Sequence, residues 1–296
     1  MGRVELPVEV LLGLALREVE DDDPETPLPS LGALHNRPVR QVFDSAAALV
    51  RDRDPVRREL GVRILRELGP EQQPDGHRPF RGETVPLLRS ALRSEPEPGV
   101  LRWIVSALGY HQAREALPEV LALAGHPDWR VRFHVAAALP ALLEPADVPP
   151  DAADALLRLC RDEDADTRYY ALYAVTREVP ALDTEAMTRL TAQLATDPDE
   201  QIRAMATAHQ AAIRQARRLL NDWDFRGVAD PGKDPGEYDS MIGSLLTALA
   251  QEAEAEDLRC MLDDEIRDRF GMSPDHADTS GMARRLHAWW REHHAD

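Results

Sequence analysis

The chain has 296 residues, of which 43% are hydrophobic but only 5% aromatic, so its core must be built mainly from Leu, Ala and Val, the residues that pack helix against helix. Its formal charge of −18 argues against nucleic-acid binding, because phosphate neutralisation needs a concentrated basic surface. Its sequence contains neither the roughly 18 uncharged apolar residues of a membrane span nor a signal-peptide core at the start, so we expect a cytoplasmic protein that makes no membrane contact.

The predicted elements are helices that follow one another in pairs. The apolar period over residues 8–19 predicts an N-terminal capping helix, and the acidic, proline-rich residues 20–30 predict a loop. A second loop is predicted over residues 69–82. The first helices of the five predicted pairs, each with a Leu-rich or Ala-rich stripe, span residues 37–50, 83–92, 113–124, 152–159 and 184–195.

A short motif recurs at the start of each second helix. Its clearest copy is DWRVRFHVAAAL at residues 128–139, and related copies begin at Asp54, Glu97, Asp164 and Asp199. Asp is a favourable N-cap, and the apolar residues that follow have the spacing of a helix. Aligned at the motif arginine, the copies fall at positions 57, 101, 132, 168 and 203, with Leu101 in place of one arginine. The intervals between them are those of a helix pair.

The pattern D-x-x-V-R-x-x-A-x-x-A-L resembles bacterial HEAT repeats of the type also found in phycobilin-lyase-like proteins, over about residues 35–215. The resemblance implies an all-α fold, a right-handed α-solenoid of about five helix pairs followed by a small three-helix bundle. It also implies a polar ladder between neighbouring copies, with a doubtful link at Leu101. The residues assigned to this ladder are Asp128, Arg132, Asp164, Arg168, Asp199 and Arg203. Lyase activity is not implied, because a repeat is a scaffold and function depends on its sites.

The repeat pattern ends near residue 220. Helical periods over residues 238–254, 255–269 and 279–293 predict the small bundle, so we expect a solenoid over residues 1–220 and an acidic helical domain over residues 221–296. The second region holds 18 acidic and eight basic residues, which gives it the denser negative charge. Its motifs resemble small bacterial domains of unknown activity, through Trp223-Asp224, Gly227-Val228, Glu237-Tyr238-Asp239 and a terminal helix with Arg284, Leu286, Trp289 and Trp290.

One column of the second helices is rich in aromatic side chains. It consists of the positions two and five places after the motif arginine: Glu59, Trp103, His134, Tyr170 and Met205, then Val62, Ser106, Ala137, Tyr173 and Ala208. Residues three apart share a helix face, and the second helices of such solenoids usually line the concave surface. We therefore expect Trp103, His134, Tyr170 and Tyr173 to contact a protein partner, because aromatic residues dominate interface hot spots. Packing between adjacent repeats is the alternative for all four.

The sequence carries no recognisable catalytic, metal or cofactor motif. The acidic run over residues 20–23 lacks the ligand spacing of a calcium loop, and His293 and His294, as neighbours on a helix, point about 100° apart. P-loop, dinucleotide, nucleophile-elbow and H-E-x-x-H patterns are missing from the sequence. Cys160 and Cys260 are predicted to be buried thiols. We therefore expect a protein that is not an enzyme and binds no cofactor.

Three functional hypotheses follow. The first is a non-enzymatic scaffold or adaptor that binds a protein partner on the concave solenoid face. The second is an acidic inhibitor or immunity-type protein that neutralises a basic enzyme such as a nuclease, which the charge of −18 suggests. The third is a lyase-like enzyme that acts on a bound cofactor.

Overall fold

The computed structural model describes residues 6–21, 27–69, 78–144, 148–179, 182, 184–227 and 236–294. The fold is all-α, with the successive helix pairs of an α-solenoid, as the sequence predicts. Contacts divide the chain into two compact units, residues 1–143 and 144–296. No helix in the described part of the chain is long and apolar enough to cross a membrane.

Eight α-helices account for most of the described residues of the first unit. They are α1 (Val8–Glu20), α2 (Pro29–His35), α3 (Arg40–Leu49), α4 (Pro55–Glu67), α5 (Arg81–Leu92), α6 (Pro98–Tyr110), α7 (Leu117–Leu121) and α8 (Trp129–Leu142). Helix α6 packs between α4 and α8, and α3 packs on α4. The core is aliphatic, with Ile104, Leu108 and Leu139 fully buried. This is the Leu- and Val-rich interior that the low aromatic content predicts.

The second unit contains seven α-helices among its described residues. They are α9 (Pro150–Leu159), α10 (Ala165–Tyr173), α11 (Thr184–Leu194), α12 (Glu200–Trp223), α13 (Asp239–Ala250), α14 (Ala255–Asp268) and α15 (Thr279–His294). Helix α10 continues into a π-helical turn, Ala174–Glu178. Helix α12 runs unbroken past residue 220, and both α13 and α15 pack on it. The domain boundary at residue 220 stays a prediction.

The motif aspartates start the second helices. The side chain of Asp54 accepts a hydrogen bond from the backbone N–H of Val56, Asp128 from that of Arg130, and Asp164 from that of Thr167. Asp199 accepts from the N–H groups of residues 201 and 202. Each bond satisfies a donor that a helix otherwise leaves without an intrahelical partner. The motif therefore fixes where each of these helices begins.

Helix α2 is absent from the sequence-based expectation, which ended the first loop at residue 30. Its start depends on a side chain from another helix, since Glu18 of α1 accepts hydrogen bonds from the N–H groups of Ser30 (2.9 Å) and Leu31 (3.1 Å). A carboxylate at a helix N-terminus stabilises it through the free N–H groups and the helix dipole. A tertiary contact, and no local pattern, supplies this cap.

The first motif copy is out of register by one residue in the sequence alignment. Arg58, and not Arg57, donates hydrogen bonds to the backbone carbonyls six and five residues earlier, as Arg132, Arg168 and Arg203 do. The corrected aromatic column therefore starts with Leu60 and Arg63 in place of Glu59 and Val62.

Two further predictions need correction. The helix expected over residues 113–124 is a 3-10 turn, Arg114–Ala116, followed by the five-residue helix α7. Cys160 is buried as predicted, and burial raises the pKa of its thiol to about 12, but Cys260 is exposed. Most of the loop predicted over residues 69–82, two residues of the acidic run over 20–23 and the side chain of His294 lie outside the described residues.

Candidate protein-binding surface

The loop before each second helix has the same construction. In each loop, the residue two places before the helix cap accepts a hydrogen bond from the backbone N–H of the cap residue. The accepting residues are Asp52, Glu95, His126, Asp162 and Asp197. Where the motif arginine is present, it donates to two carbonyls of the same loop. This arrangement fixes the loop, and other N–H groups of Arg58 and Arg168 reach an acid of the next repeat.

The ladder between repeats uses these loop acids and not the helix-capping aspartates. Arg58 pairs with Glu95 through two hydrogen bonds of 2.8 Å, and Arg168 pairs with Asp197 through two of 2.9 Å. Asp199, which the sequence placed in the ladder, instead caps helix α12. Bidentate arginine–carboxylate pairs are among the stronger polar contacts in proteins.

At one junction of the ladder, both the arginine and its acidic partner are replaced by other residues. Leu101 occupies the arginine position and is buried, and the loop that it would reach carries His126 instead of an acid. Loss of the arginine thus goes together with loss of the carboxylate, so no charge is left buried without a partner at this junction.

Trp103 and His134 lie together in the first unit, half-buried between α4, α6 and α8. Their rings meet edge to face with centroids 5.5 Å apart. The Nδ1–H of His134 donates a hydrogen bond of 2.9 Å to the carbonyl of Arg130, and burial lowers its pKa to about 4, so it is neutral at pH 7. Trp103 therefore has a neutral aromatic neighbour on one side.

Arginines cover the rest of the Trp103 indole. The guanidinium carbon of Arg63 lies 4.4 Å from a ring centroid, and those of Arg66 and Arg102 lie at 5.4 and 5.5 Å. Arg66 also lies 3.7 Å from the ring centroid of the exposed Tyr110. Cations favour the faces of aromatic rings because of the ring quadrupole. Arg63 also pairs with Glu59 and Arg66 with Glu67, so the first-unit part of the column is an aromatic patch covered by arginines that are partly neutralised by ion pairs.

Tyr170 and Tyr173 are exposed on helix α10 of the second unit. Their residue exposures are 42% and 41%, and they stand three residues apart on one helix face. The ring of Tyr169 packs edge to face against that of Tyr170 at 5.6 Å. Both tyrosines therefore present aromatic surface to solvent, which the sequence alone left undecided.

A pocket lies at the end of this face, where α10 enters its π-helical turn. Its volume is about 280 Å³, counting space open to solvent. We call it the Trp290 pocket; its lining residues are Thr176, Arg177, Met205, Ala208, His209, Ala212 and Trp290. Met205 and Ala208 belong to the aromatic column. The C-terminal helix α15 thus contributes Trp290 to a surface that the repeats begin.

His209 and Arg177 give this pocket its polar character. Burial, together with the nearby positive charge of Arg177, lowers the pKa of His209 to about 4, so the ring is neutral at pH 7. The guanidinium carbon of Arg177 lies 5.9 Å from the centroid of the Trp290 ring. Arg177 and His209 fall outside the aromatic column, so the sequence pattern does not single them out, and Trp290 was named only as part of the terminal-helix motif.

No cluster of His, Cys, Asp or Glu suited to a metal ion occurs among the residues that the structure describes.

Comparisons with known proteins concern the repeats and the fold. Residues 85–176, from α5 to the π-helical turn, match the family model of HEAT repeats. The X-ray structure of Escherichia coli YibA is similar over 97% of this chain and 99% of its own, at 15% identity and a TM-score of 0.51. At that identity the likeness concerns the fold alone.

Two other solved structures are more distant. A crystal structure of an engineered protein is similar over 70% of this chain and 98% of its own, at 17% identity and a TM-score of 0.48. Human deoxyhypusine hydroxylase, solved in complex with glycerol, is similar over 95% of this chain and 96% of its own, at 17% identity and a TM-score of 0.34. No curated protein matches the chain.

Proposed function

We propose that this chain is a non-enzymatic scaffold that binds a protein partner through the faces of its second helices. HEAT repeats generally mediate protein–protein interaction, and stacked helical repeats offer extended surfaces for it. The observation that carries the proposal is the pair Tyr170 and Tyr173, both about two-fifths exposed on one face of α10. Tyrosine gives a large contact area for little loss of side-chain entropy, and interface hot spots are enriched in it.

Trp103 and His134 have a different part in this proposal. They are half-buried, so a partner reaches them beside the guanidinium groups of Arg63, Arg66 and Arg102 that lie over the indole. Arginine is also enriched in interface hot spots. The first unit therefore offers aromatic surface bordered by arginines, two of them ion-paired with Glu59 and Glu67, whereas the second offers the two tyrosines.

The acidic-inhibitor hypothesis receives less support. Helix α14 carries the densest carboxylates, but its own arginines pair with several of them: Arg259 with Glu256 and Asp263, and Arg267 with Asp264. These pairs reduce the negative potential that would attract a basic enzyme. The likeness to phycobilin-lyase-like repeats is likewise one of scaffold, and no activity enters the proposal from it.

The proposal is tested with the Tyr170→Ala/Tyr173→Ala double variant of the full chain. A partner captured from native cytosol by the wild-type chain is purified, and its affinity is measured by calorimetry for the wild type and the variant. Removal of two hot-spot tyrosines should weaken binding by about 30-fold or more, since a hot spot contributes about 2 kcal/mol.

Met272→Ala serves as the control, because Met272 is exposed to a similar extent, 41%, but lies outside the second helices. It should bind as the wild type does. Circular dichroism establishes that each variant is folded. Equal affinity of the folded double variant and the wild type would remove the tyrosines from the interface and overturn the proposal.

A further inference from the structure

The Trp290 pocket contains a positive charge that the described residues leave uncompensated. Arg177 makes no ion pair with any described residue, although the chain has 53 acidic residues against 35 basic ones. Its guanidinium carbon instead lies 5.9 Å from the ring centroid of Trp290. The other lining residues are apolar or neutral at pH 7, so Arg177 supplies the charge of the pocket lining.

His209 adds an unused hydrogen-bonding group to the same pocket. No described residue forms a hydrogen bond with its ring, which is half-buried and keeps its nitrogens within reach of water. A neutral imidazole carries one N–H donor, and either nitrogen can bear the proton. An N–H that opens into the pocket can donate to a ligand that supplies an acceptor, and the exclusion of water by that ligand strengthens the bond. Arg177 and His209 are thus a charged and a neutral donor that line one pocket.

The dimensions and walls limit what can enter. The space that a water-sized probe can occupy is only about 20 Å³, so the pocket takes one small polar end group and not a whole drug-sized ligand. Trp290, Met205 and the methyl groups of Ala208 and Ala212 form apolar walls. Phosphate groups are recognised by clusters of arginines, whereas one guanidinium matches the single charge of a carboxylate. The pocket therefore suits a small monoanion on an apolar stem.

We propose that the Trp290 pocket binds a carboxylate group of the protein partner, carried either on a glutamate side chain or on a peptide C-terminus. Arg177 pairs with the carboxylate, His209 donates a hydrogen bond to it, and Trp290 and Met205 contact the stem. The inference rests on the proposed function, since Met205 and Ala208 continue the face that bears Tyr170 and Tyr173. It adds the chemical group that this end of the face recognises.

The test is an NMR titration of the full chain that follows the indole N–H of Trp290 and the ring C–H signals of His209. Three probes are used: N-acetylglutamate N-methylamide, N-acetylleucine and, as the neutral isostere, N-acetylglutamine N-methylamide. We expect saturable shifts of both residues with at least one carboxylate probe and none with the neutral probe. Response to the first probe alone identifies a glutamate side chain, and response to the second alone identifies a C-terminus.

Variants separate the role of Arg177 from general charge effects. Arg177→Gln should raise the dissociation constant of the responding probe at least tenfold, and Arg177→Lys should raise it less. Arg214→Gln is the matched control, because Arg214 is an exposed arginine of α12 outside the pocket. It should leave the dissociation constant within twofold. Absence of saturable shifts with both carboxylate probes, or an equal response to the neutral probe, overturns the inference.

This outcome is distinguishable from failure of the proposed function. If the tyrosine double variant loses its partner while no carboxylate probe binds, the scaffold proposal stands and the carboxylate inference fails. If the probes bind but the partner is retained by the tyrosine variant, the pocket is real and the proposed face is wrong.

Discussion

The ion pair between Arg168 and Asp197 joins a second helix to the loop of the next repeat, and both side chains are largely buried. The side chains of Arg168 and Asp197 are only 11% and 6% exposed, and the carboxylate also accepts the backbone N–H of Asp199 at 2.9 Å. Burial alone would raise the pKa of Asp197, but the hydrogen bonds from Arg168 and from the Asp199 N–H hold it below its usual value. Asp197 therefore joins two repeats and orders one loop at the same time.

Asp197→Asn should lower the free energy of unfolding by about 2 kcal/mol at pH 7, because it leaves the buried Arg168 guanidinium without a carboxylate. A lowered pKa gives stability that is fully present above the unfolded value of about 3.9 and is lost as the pH falls through the folded value. The difference from wild type should therefore shrink when urea unfolding is repeated at pH 3. Asp222→Asn, at an exposed aspartate, should change stability by less than about 0.5 kcal/mol. A variant at position 197 as stable as the wild type at pH 7 would contradict the ladder.

Helix pairs in the first unit approach closely at glycines. A methyl group added at Gly61 of α4 would lie 2.7 Å from the carbonyl oxygen of Ala46 and from the backbone nitrogen of Val50, beside α3. At Gly109 of α6 it would lie 2.9 Å from the Cβ of Ala138 on α8. Backbone atoms cannot move aside as a flexible side chain does. These glycines therefore determine how near the helices lie.

Gly61→Ala should destabilise the chain by about 1–3 kcal/mol, because the overpacking outweighs the gain of about 1 kcal/mol in helix propensity. Gly13→Ala is the matched control on α1, where an added Cβ meets nothing within 4 Å. It should stabilise by up to about 1 kcal/mol. Thermal unfolding of the two variants measures both effects, and stabilisation by the substitution at position 61 would show that the helices separate easily.

At the scale of the whole molecule, three histidines make stability depend on pH. Burial is the main cause that lowers the pKa of His111, His134 and His209 to about 4 each, and the positive charge of nearby arginines contributes to this shift. An unfolded histidine titrates near 6.5. Between pH 4 and 6.5 the unfolded chain therefore binds up to three more protons at these sites than the folded chain does.

The free energy of unfolding should consequently be full above pH 6.5 and fall as the pH is lowered toward 4. His111 is buried, so His111→Gln should remove up to one of the protons that are taken up on unfolding. The loss of unfolding free energy between pH 6.5 and 4 should then be smaller by about 3 kcal/mol. His276→Gln, at an exposed histidine, should leave the slope unchanged. Denaturant unfolding at pH 7, 5.5 and 4.5 measures the slopes. An unchanged slope for the variant at position 111 would mean that this histidine has the same pKa in the folded and the unfolded chain.

The sequence by itself determined the helical class, the order of the pairs and the start of most second helices. These features depend on local causes: the apolar period of a helix and an aspartate that caps its own first turn. The aromatic column was also local, because residues at fixed spacing on one helix share a face. Hence the sequence pattern singles out Tyr170 and Tyr173 but does not determine their exposure.

Only the tertiary structure decided which of these residues face solvent and what lies beside them. Glu18 caps α2 from another helix, Asp197 rather than Asp199 meets Arg168, and Trp290 reaches Arg177 from more than a hundred positions away. Each of these contacts joins residues that are distant in sequence, and no local pattern specifies such a distance. The fold class could be read from periodicity, but the pocket at the end of the column required the packing of α15 on α12.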